Sequence, residues 1–285
     1  MIRLLVPIFV ASLLPLDGAS AKDYQIKFSR PDKAGKKYRI KTEITKKQSV
    51  TVSKDGNVIQ KKVENVKATL QAVVLIDKVD KDGAPLKLTI TIEKFGDDKG
   101  DTLLKTGTVV TAQSLEGKTI YRIGEEALDK KPRDILSDII KTKTRNSLKD
   151  DDVFGSKQRR KVGESWSMNT AAAIKDFKAM KMEIEGVSGT VKLEGVETHG
   201  GHKCLRVSMK IDIKKVKTLP DTEAFEKQGL KLESGSLKMT TGGLLPVDVK
   251  LDSPKRTMSM TMNMKIVGVK GPVKGIEMAI TTRMA

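Results

Sequence analysis

The chain has one cysteine, Cys204, so no disulfide within it can hold the fold together. His199 and His202 are its only histidines, which leaves little material for general-base catalysis. One Trp, three Tyr and six Phe are too few for the stacked-base platforms of single-strand binders. No zinc-finger or RNA-recognition pattern is present, so a dedicated nucleic-acid role is not expected. Long apolar runs are missing too. The best, Leu4 to Leu16, is interrupted by Pro7, Ser12 and Pro15 and is too short to span a bilayer. With rings and cross-links scarce, the core must come from Val, Ile, Leu and the twelve methionines. Cys204 reads best as a small apolar group tucked into a strand.

The run from Leu4 has a second meaning. Arg3 precedes it and Ala19-Ser20-Ala21 follows with the small-x-small pattern that signal peptidase accepts. Residues 1–21 are therefore expected to be a signal peptide cleaved after Ala21, placing the protein in the periplasm or outside the cell. Lys22 is not a cysteine, so no lipid attachment is expected, and the mature chain carries no transmembrane segment. Removing 21 of 285 residues leaves 264, enough for one large β domain or two modest ones.

A formal net charge of +18 predicts attraction to an anionic envelope surface or an acidic glycan. Lysine supplies most of it, as mobile point charges with no shaped fork. Lys157, Arg159, Arg160 and Lys161 form the densest basic run, read either as a patch for an anionic partner or as a solvated connector.

The dominant period is two. Ala68, Leu70, Ala72, Val74 and Ile76 alternate with polar or outward residues, Asp82-Gly83 marks a turn, and Leu86, Leu88, Ile90 and Ile92 resume the pattern. Tyr38, Ile40, Thr42 and Ile44 mark an earlier strand, ending near Asp55-Gly56-Asn57. Shorter strands are expected at 108–112 and 119–123, separated by Gly117. The second half repeats the style through Met180, Met182 and Ile184, then Val191 and Leu193, then Leu205 to Ile213 after Gly200-Gly201. Gly242-Gly243 reads as a further turn into a strand of Leu245, Val247, Val249 and Leu251. Met258 to Ile266 and Ile276 to Ile280 complete the set.

Helix is the minority. Ile135, Leu136, Ile139 and Ile140 form one stripe with Pro132 in its first turn and Asp129 as cap. Ala171 to Phe177 and Asp221 to Gln228 are two further short candidates. The expected class is mainly β: a large curved antiparallel sheet, an open or partly closed barrel, with one to three short helices. Residues 22–140 form an N-terminal β-rich half with its helix near 132–140, 141–161 a charged linker, and 162–285 a C-terminal antiparallel half. Gly35-Lys36-Lys37-Tyr38 and Gly163-Glu164-Ser165-Trp166 rhyme, which suggests two related halves.

The Val162-Gly163-Glu164-Ser165-Trp166 motif resembles a signature of uncharacterised exported β-rich bacterial envelope proteins. In them a Gly-x-x-Tyr strand, a long meander, a short helical link and a Val-Gly-x-x-Trp motif follow in that order. The resemblance covers most of the mature chain and implies an architecture and a Gram-negative envelope setting, but no site. By fold analogy the curved sheet is similar to periplasmic lipoprotein carriers, which hold acyl chains in the concavity of an unclosed barrel.

Two clusters could carry chemistry. His199 and His202 flank Gly200-Gly201, and a two-residue hairpin would pair them with Cβ atoms about 5 Å apart. Cys204 shares the face of His202, so a Zn or Cu ion is one reading and an idle hairpin tip the other. Met258, Met260, Met262 and Met264 project from one strand face, with Met180, Met182, Met209, Met239 and Met278 on neighbouring candidates. Spaced about 6.7 Å apart along the strand, they suit a core stripe or a supple groove lining better than one copper ion. Ser114, Ser188 and Ser236 sit in no nucleophile elbow. Asp97-Asp98 and Asp150 to Asp152 read as solvent-facing acids, so the protein is not expected to be an enzyme and no cofactor is expected.

The sequence thus points to a noncatalytic envelope protein that binds a lipid-like or other apolar ligand, or serves as a structural module. Val247, Val249, Met260 and Met262 are the expected wall of its site. The alternative is a metal-binding or metal-dependent hydrolytic protein using His199, His202 and Cys204.

Overall fold

The computed structural model describes residues 22–285 except 31, 117, 143–147 and 221. The segment expected to be a signal peptide, Gly117 and Asp221 lie outside the described residues. The chain runs through β1 (Lys37–Lys54), β2 (Asn57–Val79), β3 (Pro85–Asp97), β4 (Thr102–Leu104), β5 (Val109–Leu115), β6 (Lys118–Ile123) and β7 (Glu126–Ala127). Helices α1 (Lys130–Ile139) and α2 (Asp150–Phe154) follow, then β8 (Ser165–Ser167) and α3 (Thr170–Ala179). The remainder is β9 (Ile184–His199), β10 (His202–Val216), α4 (Thr222–Lys227), β11 (Leu230–Pro246), β12 (Lys255–Gly268), a 3-10 turn at Gly271–Val273, and β13 (Ile276–Met284).

These strands form one open antiparallel sheet in the order β7-β6-β5-β3-β2-β1-β13-β12-β11-β10-β9-β8, with β4 beside β3. It consists of two meanders of six strands, β1-β2-β3-β5-β6-β7 and β8 through β13, joined where β1 pairs β13. The rhyming motifs occupy matching places. Gly35 N–H donates to the Ile76 carbonyl and Ile76 N–H to the Lys36 carbonyl; Gly163 N–H donates to Leu193 and Leu193 N–H to Glu164. Two residues back along each partner strand, Tyr38 faces Val74 and Trp166 faces Val191. Both glycines have positive φ, 84° and 90°, a conformation that disfavours any Cβ.

Alternation puts one face of the sheet inside. Leu70, Ala72, Val74, Ile76, Leu88, Ile90, Ile92, Val110 and Tyr121 join Ile135 and Leu136 of α1 in one buried cluster. A second contains Ile184, Ile211, Ile213, Leu232, Leu237 and Ile266 under α2 and α3, and a third joins Ile26 and Phe28 to Trp166, Leu193 and Leu205. Burial of such side chains, each worth about 1.5–3 kcal/mol, replaces the missing cross-links.

Several expectations are corrected. β11 runs straight through Gly242 and Gly243 to Pro246, because neither glycine is at positive φ, whereas Gly200 (56°) and Gly201 (79°) do make a turn. A Cβ on Gly243 would meet the Lys255 carbonyl oxygen at 2.5 Å, so this glycine serves close strand approach. Met180 caps α3 and Met182 precedes β9, which begins only at Ile184. Asp129 occupies the N-cap of α1 without a side-chain cap bond. The charged linker holds α2, whose Val153 is buried and whose Asp151 Oδ1 accepts from Phe28 N at 2.7 Å, so it is fastened and not a free connector.

A methionine-lined sheet face as the candidate site

β12 places Met258, Met260, Met262 and Met264 on the inner face, and the register extends them sideways. One rung reads Lys46, Met284, Met260, Met239, Ile211 across β1, β13, β12, β11 and β10. The next reads Gln48, Thr282, Met262, Leu237, Ile213, and the one beyond pairs Val50, Ile280 and Met264. On the other side Met258 faces Thr241, which faces Met209. Met260 packs against both large clusters, so these rungs bridge the two solid cores.

The bridge itself is incompletely covered. Met260, Met262, Met264, Met278 and Ile280 are half-buried, and Met258 is 41% exposed. Val153 of α2 and Ala173 of α3 belong to the cluster against which Met260, Met262 and Met264 pack, and Phe177 of α3 and Phe225 of α4 pack against it too. Beside the Lys46 rung, a cleft of about 170 Å³ opens between α1 and the β1–β2 hairpin. Ile44, Val66 and Ile135 form its apolar floor and Lys46, Glu64, Asp134 and Asp138 its rim. Lys46 Nζ donates to Asp138 Oδ2 at 3.1 Å, which fixes α1 at the edge of the methionine face.

Charges gather at the opposite end, where the arm before β1 crosses the sheet. Lys36 Nζ lies 2.8 Å from Asp32 Oδ1 and 2.5 Å from Asp252 Oδ1. Burial alone would lower the Lys36 pKa, but those two hydrogen bonds outweigh it and hold it above the usual value. Burial raises Tyr38, with Asp32 and Asp252 adding to the effect. Desolvation raises Asp150, with Arg256 opposing and Asp151 and Asp176 reinforcing the shift. Desolvation likewise lowers Arg30, which feels Asp151 and, adversely, Arg256.

The expected wall is split. Met260 and Met262 do share the inner face, but Val247 and Val249 lie in the loop after β11, 47% and 46% exposed. They leave the wall because the strand ends at Pro246, where no turn had yet been made. The basic run is largely spent internally. Arg159 Nε binds Asp23 Oδ1 at 2.7 Å, while Arg160 donates to Ser156 Oγ at 2.8 Å and stacks 5.3 Å from the Trp166 ring centre. Lys157 and Lys161 stay exposed but do not make a shaped patch by themselves.

His199 and His202 pair directly across the β9–β10 turn, both exposed. Cys204 is fully buried, its Sγ contacting the His202 carbonyl at 3.6 Å. Among the described residues no group of three or more His, Cys, Asp or Glu side chains could hold a metal ion, so the metal reading is not supported. Sequence reasoning missed Arg256, Arg30 and Ser29. Arg256 was legible, since it continues the alternation of Met258 to Met264, whereas Ser29 and Arg30 arrive through the path of the arm. No protein-family model matches the chain, and no curated protein matches it.

Proposed function

We propose that this is a noncatalytic bacterial envelope protein that binds the apolar chain of a lipid-like ligand along its methionine-lined inner face. The observation that carries the reading is the run Met258, Met260, Met262 and Met264, aligned on one strand face with Met258 exposed and the other three half-buried. Thioether side chains are unbranched and polarizable, so they accommodate chains of variable shape. The sequence features of an exported chain and its +18 charge favour work beside an anionic membrane surface.

Titration of the mature protein with a polarity-sensitive fluorescent acyl probe should give saturable binding. Met262→Gln keeps the length of the side chain and adds an amide that an acyl chain cannot satisfy. It should weaken the probe by about tenfold, or about 1.4 kcal/mol, with the fold checked by circular dichroism. Absence of saturable binding by the native protein, or identical affinity in the variant, would sink this reading.

A further inference from the structure

The inner face of β12 does not begin with methionine. The same alternation that aligns Met258 to Met264 puts Arg256 on that face, so the strand presents a cation followed by four thioethers. Arg256 to Met264 spans about 27 Å at ~3.4 Å per residue, room for an extended acyl chain. Beside Arg256 the register places Gly243, then Val207. Because a Cβ at Gly243 would strike the Lys255 backbone, the surface next to the guanidinium stays bare.

The arm brings a second cation to this end. Arg30 Nη2 donates to the carbonyl of Pro246, the last residue of β11, at 2.9 Å. Its Nε and the neighbouring Ser29 Oγ are both buried and have no hydrogen-bond partner among the described residues. Buried donors left without an acceptor are costly and ask for an explanation. The nearby aspartates do not supply one: Asp32 and Asp252 hold Lys36, Asp151 accepts from Phe28 N, Asp248 accepts from Lys250 N, and Asp150 feels the charge of Arg256 without forming an ion pair with it. Neither Arg30 nor Arg256 has a carboxylate within ion-pair distance among the described residues.

We propose that the ligand is an anionic amphiphile whose carboxylate or phosphate head is held by Arg256 and Arg30 with Ser29, and whose chain lies along Met258 to Met264. This rests on the apolar-ligand reading and adds the class of its head. A planar guanidinium fork suits either oxyanion.

The test compares myristate, myristyl phosphate and myristyl alcohol on the full mature protein, with inorganic phosphate as a head without a chain. At least one anionic amphiphile should bind ten times or more tighter than the alcohol, and the one that does identifies the head. Inorganic phosphate alone should bind far more weakly than either. Arg256→Gln and Arg30→Gln should each erase most of that preference by weakening the anions far more than the alcohol, and Arg256→Lys should restore part of it. In the native protein, raising the salt concentration should weaken the anions and spare the alcohol, a readout that needs no variant. Equal affinity for anion and alcohol, or a preference that survives both glutamine substitutions, overturns the head assignment alone. If no myristyl compound binds, the apolar-ligand reading fails and the head assignment falls with it.

Discussion

Tyr121 shows how much one side chain does in a protein with so few rings. It sits on the inner face of β6 and is 2% exposed, with its hydroxyl donating to the Ile140 carbonyl just after α1. Thr119 and Thr142 share a hydroxyl contact at 2.9 Å beside it, so the end of α1 is tied to the sheet by side chains. Burial raises the phenol pKa from 10.0 to about 12, with the Thr119 hydrogen bond opposing and Asp138 adding slightly. Between those values the unfolded chain has lost the proton that the folded chain keeps, so stability falls as pH rises through that window. Below pH 10 the group contributes no slope. Tyr121→Phe should cost about 1 kcal/mol at neutral pH through the lost hydrogen bond. Urea unfolding of both proteins from pH 8 to pH 11.5 should show that gap narrowing above pH 10. A gap that stays constant would mean the phenol does not control the alkaline limb.

At the scale of elements, the period-two pattern was legible wherever one face is buried. Ala68 to Ile76, Leu88 to Ile92 and Met258 to Ile266 all lie in strands on the face their alternation requires. What the sequence hid was the meaning of glycine pairs. Gly200-Gly201 turns and Gly242-Gly243 does not, although the two dipeptides are identical, because crowding against Lys255 is a tertiary fact. The misplaced Val247 and Val249 follow from that ambiguity. α2 was hidden for a similar reason: Asp150-Asp151-Asp152 reads as a solvated run until Phe28 N is found donating to Asp151. Gly243→Ala should therefore force β11 and β12 apart and lower stability by about 2 kcal/mol. Gly195→Ala, where an added Cβ meets nothing within 4 Å, should be neutral within about 0.5 kcal/mol. Paired denaturant midpoints would check this, and equal losses would show that strand spacing at Gly243 is not what the residue protects.

Across the whole molecule, the decisive contact is the pairing that periodicity could not reveal, between the first strand of one meander and the last strand of the other. β1 and β13 share the register from Lys46 opposite Met284 to Lys54 opposite Ile276. β7 and β8 are the two ends of the strand order, so the strand pairing between the meanders is this seam, and the arm before β1 adds a second tie through Lys36 to Asp252 and Arg30 to the Pro246 carbonyl. Met260, one strand away, touches the clusters of both halves, which makes the seam a packing joint as well as a hydrogen-bonded one. Such an arrangement should unfold as a unit, because opening either meander strips apolar cover from the other. Trp166, the only tryptophan in the sequence, lies in β8 at the far edge of the second meander, where it packs in one cluster with Ile26 and Phe28 of the arm before β1. Val50, in the first meander, faces Ile280 across the seam. Val50→Asp puts a charge on that half-buried rung and should cost about 1–2 kcal/mol. The loss should appear equally in Trp166 emission and in far-ultraviolet circular dichroism, as one shifted transition with coincident midpoints. Two separated transitions, or a tryptophan curve unmoved by the substitution, would show that the halves stand independently and that the methionine face is not a structural bridge.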